Sequence, residues 1–140
     1  MKAKVLLVDD DHDILDVLTQ RLAQSYEVHR ADDGLDAIRA LETDGPFAVV
    51  VSDWRMPGID GMQLFGQMME QAPETARIML TGHGERELAV DAVNQGYIFR
   101  FLVKPYTKEE LLDSVRAGVE QFSHQCLARG MAADRGLSAA

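Results

Sequence analysis

Short runs of apolar residues alternate along this chain with longer segments in which apolar residues recur every three or four positions. The short runs are rich in β-branched residues, which is typical of strands that are buried on both faces of a sheet. The run from Phe47 to Val51 shows this most clearly. The five predicted strands are Lys4–Val8, Tyr26–Ala31, Phe47–Val51, Arg77–Leu80 and Ile98–Val103.

The longer segments predict helices with one apolar face. In the segment Glu85–Asn94, for example, Leu88, Ala89, Ala92 and Val93 are expected to share that face. The second helix is expected to stop near Gly45–Pro46. The remaining apolar faces are Ile14, Leu15, Leu18 and Leu22; Leu35, Ala37, Ile38 and Leu41; Met62, Leu64, Phe65 and Met68; and Leu111, Leu112, Val115, Val119 and Phe122.

Five strands that alternate with five helices predict an α/β fold. We expect a doubly wound, five-stranded parallel sheet with helices on both faces, because crossovers between parallel strands are right-handed. The hydrophobic pattern alone leaves the strand order open. The flavodoxin-like order 2-1-3-4-5 would place the ends of the first and third strands side by side.

The length of 140 residues suits a single domain with a core that needs no disulfide or structural metal. We expect residues 1–122 to form this domain. The apolar period fades after about Ser123, so residues 123–140 are expected to form a helix extension or a linker tail. Such a tail could precede an output domain.

Charge and cysteine content exclude some classes of function. A formal net charge of -9 argues against direct binding of nucleic acid, which depends on lysine and arginine. The single cysteine, Cys126, cannot form an internal disulfide, and this favours a reducing compartment. No apolar run resembles a secretory signal or reaches membrane-spanning length. We therefore expect a cytoplasmic protein that does not enter the membrane.

Residues suited to phosphoryl transfer stand at the ends of four predicted strands. Asp9, Asp10 and Asp11 follow the first strand. Asp53, Thr81 and Lys104 come at or just after the ends of the third, fourth and fifth strands. Because the carboxyl ends of parallel strands meet at one edge of a sheet, these side chains predict a single site.

Four segments in a fixed order make the chain resemble the receiver domain of a two-component response regulator. They are Val5–Asp11, Val51–Gly61, Leu80–Gly82 and Val103–Pro105. Each segment alone is a weak signal, whereas all four in this order are specific, and the resemblance covers about Lys2 to Phe122. It implies a phosphorylation-dependent signalling switch, not a turnover enzyme, that receives its phosphoryl group from a sensor histidine kinase or a phosphotransfer protein.

By this resemblance Asp53 is the residue that accepts the phosphoryl group. Two like charges about 4 Å apart repel by about 4 kcal/mol at an effective dielectric constant of about 20, and a dianion must approach several carboxylates here. Mg²⁺ is therefore the expected cofactor, because it is a hard cation that prefers oxygen ligands. Its expected ligands are Asp10 and Asp53 directly, the backbone carbonyl of Arg55, and Asp9 mainly through water.

The resemblance also assigns roles at the ends of the fourth and fifth strands. Thr81 would donate its hydroxyl to one phosphoryl oxygen and Lys104 would pair with another. The bond between Lys104 and Pro105 is expected to be cis. Phe101 would be a switch aromatic that turns inward when Thr81 moves, although ordinary strand packing would also explain this residue.

The expected output surface is formed by the last two helices and the fifth strand. An output domain, a partner protein or a second copy of the chain could bind there. The segment Gly96–Lys104 is bulkier and about one residue longer than in typical receivers. In this it resembles receivers that are attached to cyclic-dinucleotide phosphodiesterases or hybrid kinases. Arg55 and His83 flank the acceptor and the threonine, where they either influence the lifetime of the phosphorylated state or are exposed loop residues without a kinetic role.

Two alternatives belong to other classes. A phosphohydrolase of the haloacid dehalogenase type also uses an aspartyl nucleophile, and Asp9 with Asp11 gives its Asp-x-Asp pair. However, Asp13 stands where that family usually has Thr or Val, and Asp11 or Asp13 is more simply explained as a helix cap. The other alternative is a receiver-like interaction module that is never phosphorylated.

Overall fold

The computed structural model of the protein describes residues 2–130. Its sheet contains five parallel strands in the order β2-β1-β3-β4-β5, which confirms the predicted topology. Val8 pairs with Ser52, so the carboxyl ends of the first and third strands are adjacent. The strands are β1 (Lys4–Val8), β2 (Glu27–Ala31), β3 (Val49–Asp53), β4 (Ala76–Thr81) and β5 (Arg100–Val103).

Helices connect the strands on both faces of the sheet. The first helix begins where Asp11 accepts hydrogen bonds from the backbone N–H groups of Asp13 and Ile14, so Asp11 is its N-cap. A short 3-10 helix (His83–Glu85) precedes the fourth helix. The helices are α1 (His12–Leu22), α2 (Gly34–Thr43), α3 (Gly61–Gln71), α4 (Arg86–Asn94) and α5 (Lys108–Ala128).

Two apolar layers bury the sheet. On one face, α1 and α5 pack against the sheet through residues such as Leu18 and Phe122. On the other face, α2, α3 and α4 contribute residues such as Phe65 and Ala89. All five residues of β3 are buried, as expected for the central strand of a doubly wound fold.

The third strand lies two residues further along the chain than its predicted range of Phe47–Val51. Phe47 is buried but precedes the ladder, where its carbonyl accepts a hydrogen bond from the hydroxyl of Thr75. The ladder instead continues through Ser52 to Asp53, which pairs with Leu80. Asp53 is therefore the last residue of the strand, at the strand end where the sequence analysis placed it.

The assignment of Leu88 to the buried face of the fourth helix was wrong. Its side chain is 56% exposed, whereas Ala89 and Ala92 are buried. Because successive helical residues lie about 100° apart, Leu88 lies about 70° from the centre of the face that these two alanines form, at its edge. The helix thus contacts the sheet mainly through small residues.

The last helix is longer than the apolar period indicated. It continues to Ala128, and Cys126 is fully buried in the layer that α5 shares with α1. The predicted tail beyond residue 130 lies outside the described residues. Within residues 2–130, no helix has both the length and the apolar character that are needed to cross a membrane.

A glycine allows the last helix to lie close to the sheet. A Cβ atom at Gly118 would be 2.8 Å from Cγ2 of Val49 and 3.2 Å from Cβ of Ala76, both of which are buried. Gly66, in the interior of the third helix, has no neighbouring atom within 4 Å of the same position. The two helical glycines therefore differ in packing.

We predict that Gly118→Val lowers the free energy of unfolding by about 2 kcal/mol, because the core must shift to admit the new side chain. Gly66→Val is the matched control and should change it by less than about 0.5 kcal/mol. Urea denaturation followed by circular dichroism measures both. Equal effects of the two substitutions would contradict close packing at Gly118.

Candidate functional site

Three carboxylates meet at the carboxyl edge of the sheet. Asp9 follows β1 and is 1% exposed, Asp10 is exposed, and Asp53 is the buried last residue of β3. One oxygen atom from each of the three lies within 4.8 Å of the others. The adjacency of β1 and β3 in the sheet produces this cluster.

Asp9 carries an incompletely satisfied carboxylate. Its Oδ1 accepts a hydrogen bond of 2.9 Å from the backbone N–H of Asp11. Its Oδ2 is buried and has no hydrogen-bond partner among the described residues. Burial, and to a smaller extent the charge of Asp53, raises the pKa of Asp9 to about 6, although the hydrogen bond from Asp11 acts in the opposite direction. A cation beside Oδ2 would relieve this cost.

Lys104 supplies a positive charge to the cluster. It follows β5, and its Nζ donates a hydrogen bond of 2.7 Å to Oδ1 of Asp53. Its backbone N–H donates to the carbonyl of Thr81 at 2.8 Å, and the bond between Lys104 and Pro105 is cis. Partial burial alone would lower the pKa of Lys104, but the hydrogen bond and the charges of Asp53 and Asp9 outweigh it and raise the pKa. The lysine therefore remains charged.

Thr81 is buried at the end of β4, opposite Val103 of β5. Its hydroxyl donates a hydrogen bond of 2.8 Å to the carbonyl of Gly82. The structure thus places Thr81 at the same edge as Asp53, which pairs with the neighbouring Leu80. In this state its hydroxyl is bonded within its own loop.

Phe101, the predicted switch aromatic, is half-buried. It lies on β5 opposite Met79 and packs against the layer formed by α2, α3 and α4. Its side chain is therefore neither free on the surface nor fully enclosed. It shares this layer with the buried residues Ala89 and Ala92 of α4.

Arg55 and His83 flank the site in different ways. Arg55, in the loop after β3, forms an ion pair through its Nε with Oε2 of Glu85. His83 begins the 3-10 helix and is exposed. The sequence analysis did not identify Glu85, because nothing in a helical pattern distinguishes one acidic position at the start of a helix from another.

Arg77 is a second residue that the sequence analysis missed. Although it lies on β4, it is buried, and it donates hydrogen bonds to the carbonyls of Tyr97 at 2.8 Å and Gly96 at 3.2 Å. Burial lowers the pKa of this guanidinium. Gly96 has a φ of 83° and ends the fourth helix. Arg77 therefore holds in place the bulky segment that leads into β5. A charged residue inside an otherwise apolar strand was the sequence signal that could have identified it.

The oxygen atoms of the cluster suit a hard divalent cation. Carboxylate and carbonyl oxygens are the ligands that Mg²⁺ takes in proteins. The buried Oδ2 of Asp9, which has no hydrogen-bond partner among the described residues, would also be stabilised by a nearby positive charge. Asp9, Asp10 and Asp53 are the residues that could hold it. Lys104 alone provides one charge against three carboxylates.

A family model of the response regulator receiver domain matches residues 5–116. The chain belongs to the response regulator receiver family. The receiver is 44% identical over 120 residues to the C4-dicarboxylate transport transcriptional regulatory protein DctD of Pseudomonas aeruginosa. That match covers 85% of this chain and 26% of DctD, so the receiver spans about a quarter of the length of this relative.

Solved structures show the same fold. A chain described as an adenylate cyclase from Rhodopirellula baltica superposes with a TM-score of 0.89 at 32% identity, covering 93% of the receiver and 96% of that chain. The signal receiver domain of an HD domain-containing protein from Pseudomonas fluorescens Pf-5 gives a TM-score of 0.80 at 34% identity, covering 89% and 91%. These similarities to receivers do not favour the alternative function of a haloacid dehalogenase-type phosphohydrolase.

We predict that Mg²⁺ stabilises the receiver through this cluster. At about a hundredfold excess over its dissociation constant, the ion should raise the free energy of unfolding by about 2–3 kcal/mol. Asp9→Asn should raise the stability of the metal-free protein by about 1–2 kcal/mol, because it removes a buried charge, and should reduce the Mg²⁺ effect.

The measurement is chemical denaturation with Mg²⁺ or with a chelator. Asp91→Asn, at an exposed position on the fourth helix, is the matched control and should respond to Mg²⁺ like the unmodified protein. An undiminished Mg²⁺ effect in Asp9→Asn would contradict the role of Asp9.

Proposed function

We propose that this receiver is a phosphorylation-dependent signalling switch whose acceptor is Asp53. The observation that carries the proposal is the contact of 2.7 Å between Nζ of Lys104 and Oδ1 of Asp53, beside the carboxylates of Asp9 and Asp10. The lysine bound to the acceptor, together with a cation held by the neighbouring carboxylates, would supply the positive charge that an incoming phosphoryl group requires.

The transfer is a displacement at phosphorus. A carboxylate oxygen of Asp53 attacks the phosphorus of a phosphohistidine, the new O–P bond forms, and the P–N bond breaks with its electron pair returning to the imidazole. Mg²⁺, when bound, offsets the negative charge of the phosphoryl oxygens. Lys104 exchanges its carboxylate partner for a phosphoryl oxygen, and Thr81 turns its hydroxyl from Gly82 toward another.

The proposed Mg²⁺ ligands are those that the resemblance implies. Asp10 and Asp53 would bind directly, the backbone carbonyl of Arg55 would supply a third oxygen, and Asp9 would act mainly through water. The buried Oδ2 of Asp9, which has no protein partner among the described residues, supports a role for this residue as an acceptor from a metal-bound water.

The output surface is proposed at α4, β5 and α5. Three large apolar side chains are exposed on the fourth helix and just after it: Leu88, Val90 and Tyr97. Movement of Thr81 toward the phosphoryl group would leave room for Phe101, which packs in the same layer as Ala89 of this helix. Phosphorylation would thereby change the surface that a partner contacts.

The partners are inferred from the proteins that contain similar receivers. A sensor histidine kinase or phosphotransfer protein would supply the phosphoryl group in the cytoplasm. DctD is a transcriptional regulator and another similar receiver belongs to an HD domain-containing protein. An output domain, a separate protein or a second copy of the receiver is therefore the proposed recipient of the signal.

A receiver-like module that is never phosphorylated is the weaker candidate. Such a module would have no need for a buried aspartate in contact with a charged lysine and two further carboxylates. The side chain of Asp53 is only 12% exposed, and burial of its charge costs free energy through desolvation, which favours chemistry over simple binding. Acceptance of phosphate by the protein decides between these alternatives.

We predict that Asp53→Asn abolishes phosphorylation by acetyl phosphate or phosphoramidate in the presence of Mg²⁺. The amide lacks the nucleophilic carboxylate, whereas Asp91→Asn keeps the site intact and should be phosphorylated normally. Intact-mass spectrometry detects the added phosphoryl group, and peptide mapping locates it. Unchanged phosphorylation of Asp53→Asn would refute the assignment of the acceptor.

We further predict that beryllofluoride with Mg²⁺, which mimics the phosphoryl group, shifts the backbone NMR signals of Thr81 and Phe101. Signals of β2, at the far edge of the sheet, should shift much less because this strand does not adjoin the proposed output surface. In Asp53→Asn, the signals of Thr81, Phe101 and β2 should all stay in place when beryllofluoride and Mg²⁺ are added. Changes confined to Asp9 and Asp10 would mean that binding does not reach β5.

A further inference from the structure

An ion pair joins two loops at the edge of the site. Nε of Arg55, in the loop after β3, donates to Oε2 of Glu85, which ends the 3-10 helix after β4. The two residues are unequal, because the side chain of Arg55 is 74% exposed and that of Glu85 is 12% exposed. Glu85 is therefore the fixed member of the pair, and Arg55 is the member that can leave.

Glu85 is also connected to the threonine of the site. Its Oε1 accepts a hydrogen bond of 3.4 Å from the backbone N–H of Gly82. The carbonyl of the same Gly82 accepts the hydroxyl of Thr81 at 2.8 Å. A chain of hydrogen bonds thus runs from Thr81 through the backbone of Gly82 and the side chain of Glu85 to Arg55.

The described structure engages both side chains that the proposed function directs toward the phosphoryl group, and it also engages the guanidinium of Arg55. Thr81 is bonded to Gly82, Lys104 to Asp53, and the side chain of Arg55 to Glu85. Arg55 lies only two residues after the acceptor. A dianionic phosphoryl group on Asp53 would compete with the single charge of Glu85 for this guanidinium.

We propose that Glu85 is a positioning residue that holds Arg55 back from Asp53 until phosphorylation. This inference rests on the proposed function and deepens it. When the phosphoryl group arrives, Arg55 moves from Glu85 to a phosphoryl oxygen. Glu85 then keeps only its bond from Gly82, and because it directly precedes the fourth helix, the exchange connects the acceptor with α4.

The chain offers a matched control for this role. Glu87 lies in the first turn of the fourth helix, is exposed, and has no ion pair within the described residues. Glu85→Gln and Glu87→Gln remove the same charge from nearly the same place. Only the first removes the partner of Arg55, so a general effect of charge would appear in both.

The test measures initial rates of phosphorylation by phosphoramidate with Mg²⁺ in the whole chain. Glu85→Gln should react about threefold faster or more, since an exposed ion pair restrains its partner by an amount of this order. Glu87→Gln should change the rate much less. In an Arg55→Ala background, Glu85→Gln should no longer accelerate the reaction. Thermal melting checks that each variant is folded.

The outcomes separate this inference from the proposed function. If the unmodified protein accepts no phosphoryl group, the proposed function fails and the inference fails with it. If it is phosphorylated but Glu85→Gln has the same effect with and without Arg55, only the inference is overturned. The side-chain NMR signal of Arg55 Nε provides a second measurement: it should shift in Glu85→Gln and upon beryllofluoride binding, and an unmoved signal in both would also overturn the inference.

Discussion

Repulsion among carboxylates at one edge of the sheet is the constraint on which the function of this domain depends. Asp9, Asp10 and Asp53 come together because β1 and β3 are neighbours, and the buried Asp9 retains an oxygen with no protein partner. Lys104 compensates part of this charge through Asp53. Under the proposed function, the remaining deficit would make the site receptive to a cation and then to a phosphoryl group, each of which would change the electrostatic balance at the ends of the strands.

The packing around the site determines which elements can move when the charge of the site changes. The third strand is buried along its whole length and cannot shift without disturbing both apolar layers. The fourth helix is different, because it contacts the sheet through Ala89 and Ala92 and exposes Leu88. Small residues make few contacts, so we expect this helix to be held less firmly than its neighbours. Glu85 lies in the loop that leads into this helix, and under our proposal it would connect a charge change at Asp53 with the output surface.

Several features could be predicted from local pattern. The apolar runs located the strands, and Asp11 has the residue type and position of a helix cap, which it forms. The errors arose where a pattern was ambiguous. Leu88 fits an apolar helical face in sequence, but it lies about 70° from the centre of that face, at an edge that the packing leaves exposed. The third strand extends to Asp53 because its partner in β4 continues pairing, which the run of apolar letters does not show.

The sequence by itself determined the alternation of elements, the class of fold and the set of acidic, hydroxyl and basic residues at strand ends, because these depend on near neighbours along the chain and on the resemblance of four short segments. Only the tertiary structure decided which side chains are engaged with one another. The pair of Arg55 and Glu85 spans 30 residues, and the bonds of Arg77 to Gly96 and Tyr97 span 19 and 20 residues. Such contacts arise from the packing of loops at the ends of parallel strands, and the hydrophobic pattern along the sequence does not predict them.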